Sequence, residues 1–465
     1  MFCVSHLTET RMPKSLLQRI VEAPAAGLGR TINSSRRLAY GVGLPLRKAG
    51  QYWKTLGPGL TTGAADDDPS GIATYSQTGA QYGFQLLWMA AYSFPLMALI
   101  QEMCARIGLV TGRGLAGNIR HRYPRWVLHT CTILLVCANT FNIGADLGSM
   151  AQATQLLLPG IPATVLILFF AILILGLLIF SSYRYYARLL KWLAMILVAY
   201  IFAAFLVHPD WSLIARSSLL PTITFSREQL ILICAILGTT ISPYLFFWQT
   251  SQEVEEEIER GETTLKMRQQ STTTAEITQM RIDVWSGMFF SNLIMFFIIA
   301  ACGAVLNKNG ITNIVSAADA AEALRPLAGN AASLLFTVGI IGTGLLAIPV
   351  LAGSSSYALS ESFGWRSGLD LKLSKALAFY GVIILSVLLG FLMNLIGLDP
   401  IKALIYSAVA NGVVAPVMLA FVVLISGSRK IMKEHVNSPM TTFLGWLVTG
   451  LMVIAGGAAL WAMMG

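Results

Sequence analysis

Three consecutive carboxylates, Asp66, Asp67 and Asp68, sit inside an apolar stretch of this chain, Gly63-Ala-Ala-Asp-Asp-Asp-Pro-Ser-Gly-Ile72. Carboxylate oxygens in such a setting can hold a cation or carry a proton. Each charge costs roughly 2.5–3.5 kcal/mol at the centre of a bilayer, so a run of three calls for a function. Pro69 removes a backbone donor and Gly71 tolerates unusual dihedrals, so the helix is expected to break at the acids. A loop following a complete span is the competing placement. It fails on length, because only Leu56 to Ala65 precede the acids and a span needs the residues Ile72 to Ala80 as well.

A second stretch has the same character. In Leu237-Gly-Thr-Thr-Ile-Ser-Pro-Tyr-Leu245, Pro243 interrupts an apolar run beside Thr239, Thr240 and Ser242. Non-helical backbone at membrane depth survives only where protein or a water-filled cavity receives it. Freed carbonyls around Ala65 and Thr239, with the Ser242 hydroxyl and the Asp68 carboxylate, would form an all-oxygen ligand set. Such hard donors suit Mg, Ca or Mn rather than copper. A third feature is a polar stripe. Asn139, Asn142, Asp146, Ser149 and Gln152 follow the spacing of one helical face, with Asp146 its single charge. It reads as an ion or proton route, or as hydrogen-bonding glue between helices.

The elements that must position these groups are apolar helices. Hydrophobic residues make up 55% of the 465-residue chain and charged residues only 12%, about half the charge of a soluble domain. Long apolar runs predict about eleven spans, near 56–79, 83–106, 126–157, 162–183, 189–208, 228–254, 283–306, 331–359, 374–396, 401–427 and 441–464. Alternating the loops between two sides places 27 of the 32 Lys and Arg on the amino-terminal side and 5 on the other. That is the positive-inside pattern, which predicts a cytoplasmic amino terminus, an outside carboxy terminus and residence in the cytoplasmic membrane. It also explains the net charge of +9 without a nucleic-acid partner.

The two breaks fall in the first and sixth spans, the same place in two five-helix halves. Five is odd, so the halves must be inverted relative to each other. Paired broken helices in inverted repeats point to a transport site at the midplane. The expected organisation is an all-α membrane protein: a basic flexible arm over 1–50, without a secretory signal, a ten-helix core over 51–427 and an eleventh helix within 428–465. Met12 is an alternative start within the arm. Cys3, Cys104, Cys131, Cys137, Cys234 and Cys302 lack metal-site spacing, and the five histidines fall in loops or near helix ends. The acid run Glu253, Glu255, Glu256, Glu257 and Glu259 reads as a solvated helix extension, with collection of cations at the inner exit as the alternative.

These residues resemble the Nramp family of proton-linked divalent metal transporters from about Gly57 to Lys430. Gly57-Pro-Gly59, Asp68-Pro-Ser-Gly-Ile-Ala-Thr74 and Gly79-Ala-Gln-Tyr-Gly83 are similar to its first-helix signature. Ala105 to Gly112, Ala145-Asp-Leu147, Gly238 to Tyr244 and Ser428-Arg-Lys430 match further motifs in order. The resemblance implies a LeuT-like fold of two inverted five-helix repeats plus one extra helix, with the metal between the first and sixth. It places the metal-binding Asp on Asp68. The metal-binding Asn falls on Gly71, the metal-binding Met on Ser242, and the His after the sixth-helix proline on Tyr244. The third-helix Asp is Asp146, the Glu one turn later is Ser149, and an earlier Glu is Asn139. Asp66 and Asp67 are additional acids.

Two expectations follow. Without the thioether, discrimination against hard cations should weaken. With most of the titratable relay replaced, proton coupling is in question. The leading expectation is therefore a secondary transporter of divalent cations, Mn, Mg or similar, with lipid as its environment and no cofactor. The same fold could instead carry an amino acid or another small organic ion, although three acids disfavour a carboxylate ligand. No motif of an enzyme is present.

Overall fold

The computed structural model describes residues 52, 53, 55–181, 183–206, 210–314, 317–396 and 400–464. The arm expected over 1–50, with Met12, lies outside the described residues. The helices that matter belong to one compact unit, Leu56–Gly465.

The first half opens with α1 (Pro58–Asp66) and α2 (Pro69–Tyr82), then α3 (Trp88–Thr111), a short α4 (Leu115–Arg122), α5 (Arg125–Leu157) and α6 (Ala163–Phe180). A bent pair closes it, α7 (Tyr183–Leu193) and α8 (Val198–Leu206), joined by a 3-10 turn, Ala194–Leu197. The short α9 (Trp211–Leu219) leads to the second half. That half begins with α10 (Arg227–Thr240) and α11 (Pro243–Glu259), followed by α12 (Leu265–Ser271), α13 (Thr274–Val305), α14 (Ala317–Phe363), α15 (Leu377–Asn394) and α16 (Pro400–Ser426). The last helix is α17 (Pro439–Met464).

Ten helical stretches among the described residues are long and apolar enough to cross a membrane. The pair α1–α2 supplies the eleventh. Its halves of 9 and 14 residues are each too short alone. The eighth span departs most from expectation. The α14 helix has 47 residues rather than the 331–359 segment foreseen, about 70 Å at 1.5 Å per residue, more than twice the hydrocarbon thickness.

The packing repeats across the two halves as inverted symmetry requires. The first span lies against α13 of the seventh, and α11 of the sixth lies against α3 of the second. The third span packs on the tenth, α5 on α16, and the eighth packs on the fifth, α14 on α8. Small residues permit the closest approaches. A Cβ on Gly63 would overlap the carbonyl of Gly287, so α1 and α13 meet backbone to backbone. In spans two and six 78% of the most apolar window is buried, whereas in α6, α15 and α17 the figure is 33%. The last three therefore form the lipid-facing shell, with exposed Leu168, Phe169, Leu385, Leu388, Val453 and Ile454.

The acid run after Pro243 is solvated only in part, at half-buried Glu256 and exposed Glu259. Glu253, Glu255 and Glu257 are buried, because α11 is wedged between α3 and α14. Glu253 accepts from Gln249 Nε2 at 2.8 Å, and Glu255 accepts from the Tyr357 hydroxyl at 2.5 Å and the Leu369 amide at 2.9 Å. Glu255 thus fastens the end of the sixth span to the eighth, while the Glu253 bond stays within α11.

Candidate functional site

Both breaks adopt one backbone form. Helix α1 ends on Asp67 at φ −83°, ψ 51°; Asp68 is extended at φ −66°, ψ 169°; Pro69 then starts α2. Helix α10 ends on Ile241 at φ −120°, ψ 54°; Ser242 is extended at φ −76°, ψ 134°; Pro243 then starts α11. The local cause is the same twice. Proline disfavours helical dihedrals in the residue before it, yet suits the first helical position, where its missing N–H costs nothing.

Asp68 is the N-cap of α2. Its Oδ1 accepts from the Gly71 amide at 2.7 Å and the Ser70 hydroxyl at 2.6 Å. Its Oδ2 accepts from Asn142 Nδ2 at 2.7 Å. The Asn142 carbonyl oxygen in turn accepts from the Ser407 hydroxyl of α16. One carboxylate thus joins the first, third and tenth spans, and is held in orientation before any cation meets it.

The two breaks touch. The Tyr244 hydroxyl donates to the Ala65 carbonyl at 2.9 Å, across the repeats. A Cβ on Gly71 would stand 2.9 Å from Thr239 Oγ1, so the missing Asn side chain coincides with a contact that only glycine permits. Ser242 Oγ lies 2.7 Å from both the Gly238 and Thr239 carbonyls, so it turns back on its own helix.

The neighbouring acids differ from Asp68. Asp66 Oδ2 accepts from Ser291 of α13 at 2.8 Å, but its Oδ1 has no hydrogen-bond partner. Neither oxygen of Asp67 has one, nor does either oxygen of Asp146. The hydroxyls of Thr239 and Ser149 are also unpartnered. All five side chains are buried. Buried polar groups without partners are rare in folded proteins, and orphaned carboxylates are the most costly kind. A donor set of orphaned oxygens without nitrogen or sulfur is what a hard cation needs. Among the described residues no group of three or more His, Cys, Asp and Glu side chains converges as a ready cage. The three acids therefore point apart, and a cation on Asp68 must draw its other ligands from carbonyls, hydroxyls, amide oxygens or water.

The polar stripe of α5 divides between its two readings. Asn139 donates to the Leu351 carbonyl at 3.0 Å and to the Ser354 and Ser355 hydroxyls at 2.9 Å, so it glues α5 to α14. Asn142 faces Asp68 directly, and the Asp146 carboxylate lies close enough to feel the Asp68 charge. Gln152 is only partly buried. Sequence reasoning missed Ser291, which bonds Asp66, and Ser407, which bonds Asn142. It also missed Asp283. That side chain accepts from the amides of Gly57 at 2.8 Å, Gly59 at 2.7 Å and Leu60 at 3.1 Å, and so ties the start of α1 to α13.

The family model described as Natural resistance-associated macrophage protein-like matches residues 59–462. The chain belongs to the Nramp family. Among relatives, the Divalent metal cation transporter MntH of Deinococcus radiodurans is 26% identical over 425 residues, covering 88% of this chain and 90% of its own. MntH of Yersinia pestis is 28% identical over 444 residues, covering 91% and 97%. The manganese transporter of Eremococcus coleocola, in complex with an aromatic bis-isothiourea compound, superposes with a TM-score of 0.70 at 20% identity, covering 87% and 85%. Mhp1, a nucleobase-cation-symport-1 family transporter, superposes at 0.54 with 15% identity, covering 88% and 91%. These likenesses bear out the inverted-repeat fold. The resemblance put the first-helix carboxylate on Asp68 and the Asn, Met and His on Gly71, Ser242 and Tyr244, the residues that the two breaks bring together.

Proposed function

We propose that this Nramp protein is a secondary transporter that moves divalent metal cations across the cytoplasmic membrane by alternating access, with Asp68 as the charged ligand. The observation that carries this reading is the direct seating of one helix break on the other, through Tyr244 and Ala65 and through Gly71 and Thr239, with the capped carboxylate at the junction. The ion would be completed by the carbonyls of Ala65 and Thr239, the hydroxyls of Thr239 and Ser242, and water. The all-oxygen character of this set supports Mn or Mg and weak exclusion of hard cations. Asp66, with one free oxygen, and Asp67, with two, would raise the local cation concentration beside the site. Asn142, Asp146, Ser149 and Tyr244 form the possible ion or proton route, and the scarcity of titratable groups among them argues against tight proton coupling. The charge asymmetry supports a cytoplasmic amino terminus and an outside carboxy terminus. The ten spans of 51–427 would perform transport, with α17 as an accessory to α10 and α16.

The test is uptake of Mn, Mg and Ca into proteoliposomes, with and without a pH gradient. Mn and Mg should both enter, with little response to the gradient. Strict exclusion of Mg and Ca would overturn the hard-site reading. Stoichiometric proton entry that disappears in Asp146→Asn would overturn the weak-coupling reading.

A further inference from the structure

A cavity of about 440 Å³ opens where the end of α3, α4, α12 and the α16–α17 connection meet. Arg113, Arg122, Lys430 and Lys433 line it together with His121, and no Asp or Glu does. Among the described residues, none of these four Lys and Arg side chains forms an ion pair. Three other arginines on the same face are engaged. Arg281 pairs with Glu102 at 2.9 Å, Arg260 with Glu276 at 3.5 Å, and Arg268 donates to the Gly112 carbonyl at 3.2 Å. The nearby acid Glu361 is spent on α4, where it accepts from the amides of Gly114 at 3.0 Å and Gly117 at 2.8 Å. Arg122, Lys430 and Lys433 therefore converge on one concave site without a carboxylate partner, beside Arg113, whose charge also reaches Glu361.

The backbone reinforces this. Lys433 has φ +51° and ψ −118°, a conformation that L residues rarely adopt and that is found preferentially at ligand clamps. The depth of the cavity is fixed by its neighbours. Trp126, just after α4, is 71% exposed, and Tyr123 sets its ring against the edge of Phe421. Aromatic side chains of this kind mark the membrane interface. Val110 and Ile431 add apolar wall to the cationic lining.

We propose that this cavity binds the phosphodiester headgroup of an anionic phospholipid. The cluster of Arg113, Arg122, Lys430 and Lys433 matches the charge of phosphate oxygens, and arginine forks bind them bidentately. A position at headgroup depth with partly apolar walls favours a lipid over free phosphate. The assignment to the inner leaflet, where anionic lipid is enriched, rests on the orientation proposed above; the binding itself does not. The site also has a mechanical position. Gln269 lines it and donates to the Thr111 carbonyl at 3.1 Å, while Thr272 donates to the Leu109 carbonyl at 2.9 Å. A bound headgroup would clamp the connection that follows the sixth span onto α3 and onto the α16–α17 turn.

Thermal unfolding of the full-length protein in nonionic detergent tests this, with dioctanoyl phosphatidylglycerol, dioctanoyl phosphatidylcholine or inorganic phosphate added at equal concentration. Phosphatidylglycerol should raise the Tm of the wild type, and the other two should not. In the triple variant Arg122→Gln, Lys430→Gln, Lys433→Gln its apparent affinity should fall at least tenfold, and the double variant Lys430→Arg, Lys433→Arg should keep the response. A triple variant that responds like the wild type overturns the proposal. An equal shift with inorganic phosphate overturns the lipid assignment in favour of a free anion. If the triple variant melts below the wild type without any addition, native mass spectrometry decides, and undiminished phosphatidylglycerol adducts overturn the proposal.

Discussion

The two helix breaks share a backbone and differ in how they use it. In the first, the extended residue carries a carboxylate that caps the following helix, and Asn142 fixes its second oxygen. In the second, the extended residue is Ser242, which leaves α11 without a side-chain cap and bonds to carbonyls behind it. The carbonyls at the two helix ends are accordingly satisfied in different ways. Ala65 is served from the opposite repeat by Tyr244, and Thr239 from within its own repeat by Ser242. Relative movement of the halves would therefore release the Ala65 carbonyl for a cation and leave Thr239 as it was. Charge comes from one half of the repeat, and neutral dipoles from the other.

The most severe way to break this contrast is at the charged half. Asp68→Ala and Asp68→Asn should both reduce uptake by roughly a hundredfold or more, since each removes the only charge anchored at the junction. Only the alanine variant should lose about 1 kcal/mol of stability, because asparagine still caps a helix. Near-normal uptake by Asp68→Asn would reduce Asp68 to a structural cap. Next comes Gly71→Ala. Its methyl group must displace Thr239 or spread the breaks, and uptake should fall roughly tenfold with a destabilisation of about 1–3 kcal/mol, the range for overpacking; unchanged kinetics would show that the breaks are not in tight contact. Tyr244→Phe cuts the link between repeats and leaves the buried Ala65 carbonyl unpaired, at a cost of about 1–3 kcal/mol. Its uptake should change severalfold, and a wild-type Tm would mean that the link contributes nothing. The mildest change is Ser242→Ala, which deletes a bond internal to one half. Its Tm should move little, as for a loss of about 0.5–1 kcal/mol, and its uptake should fall roughly twofold, since water replaces one neutral ligand oxygen. Unchanged uptake would show that Ser242 does not serve the ion.

Much of this site could be read in the chain because proline and buried charge leave marks in one dimension. Pro69 and Pro243 have to end helices, and their recurrence in the first and sixth spans gives the repeat. The spacing of Asn142 and Asp146 put them on one face of α5, and that face meets the break. What escaped depends on partners distant in sequence. Ser291 lies 225 residues from Asp66, and no local pattern announces their bond. Glu253 and Glu255 look like a solvated charge run until α3 and α14 close around them. The length of α14 escaped because a helix running past the bilayer needs no apolar sequence in its extension.

The carboxylate of Asp283 gives the molecule a fixed linkage. Its three bonds to the amides of Gly57, Gly59 and Leu60 are charge-assisted, and parting α1 from α13 would cost about 1.5–3 kcal/mol for each. The direct backbone contact of Gly63 and Gly287 adds to that cost. The first half-helix cannot swing alone. It and α13 form one crank arm. The α2 helix rides on the same arm, because a Cβ on Gly79 would stand 2.6 Å from the Ile299 carbonyl oxygen, so any stroke that opens a path past Ala65 has to carry α13 with it.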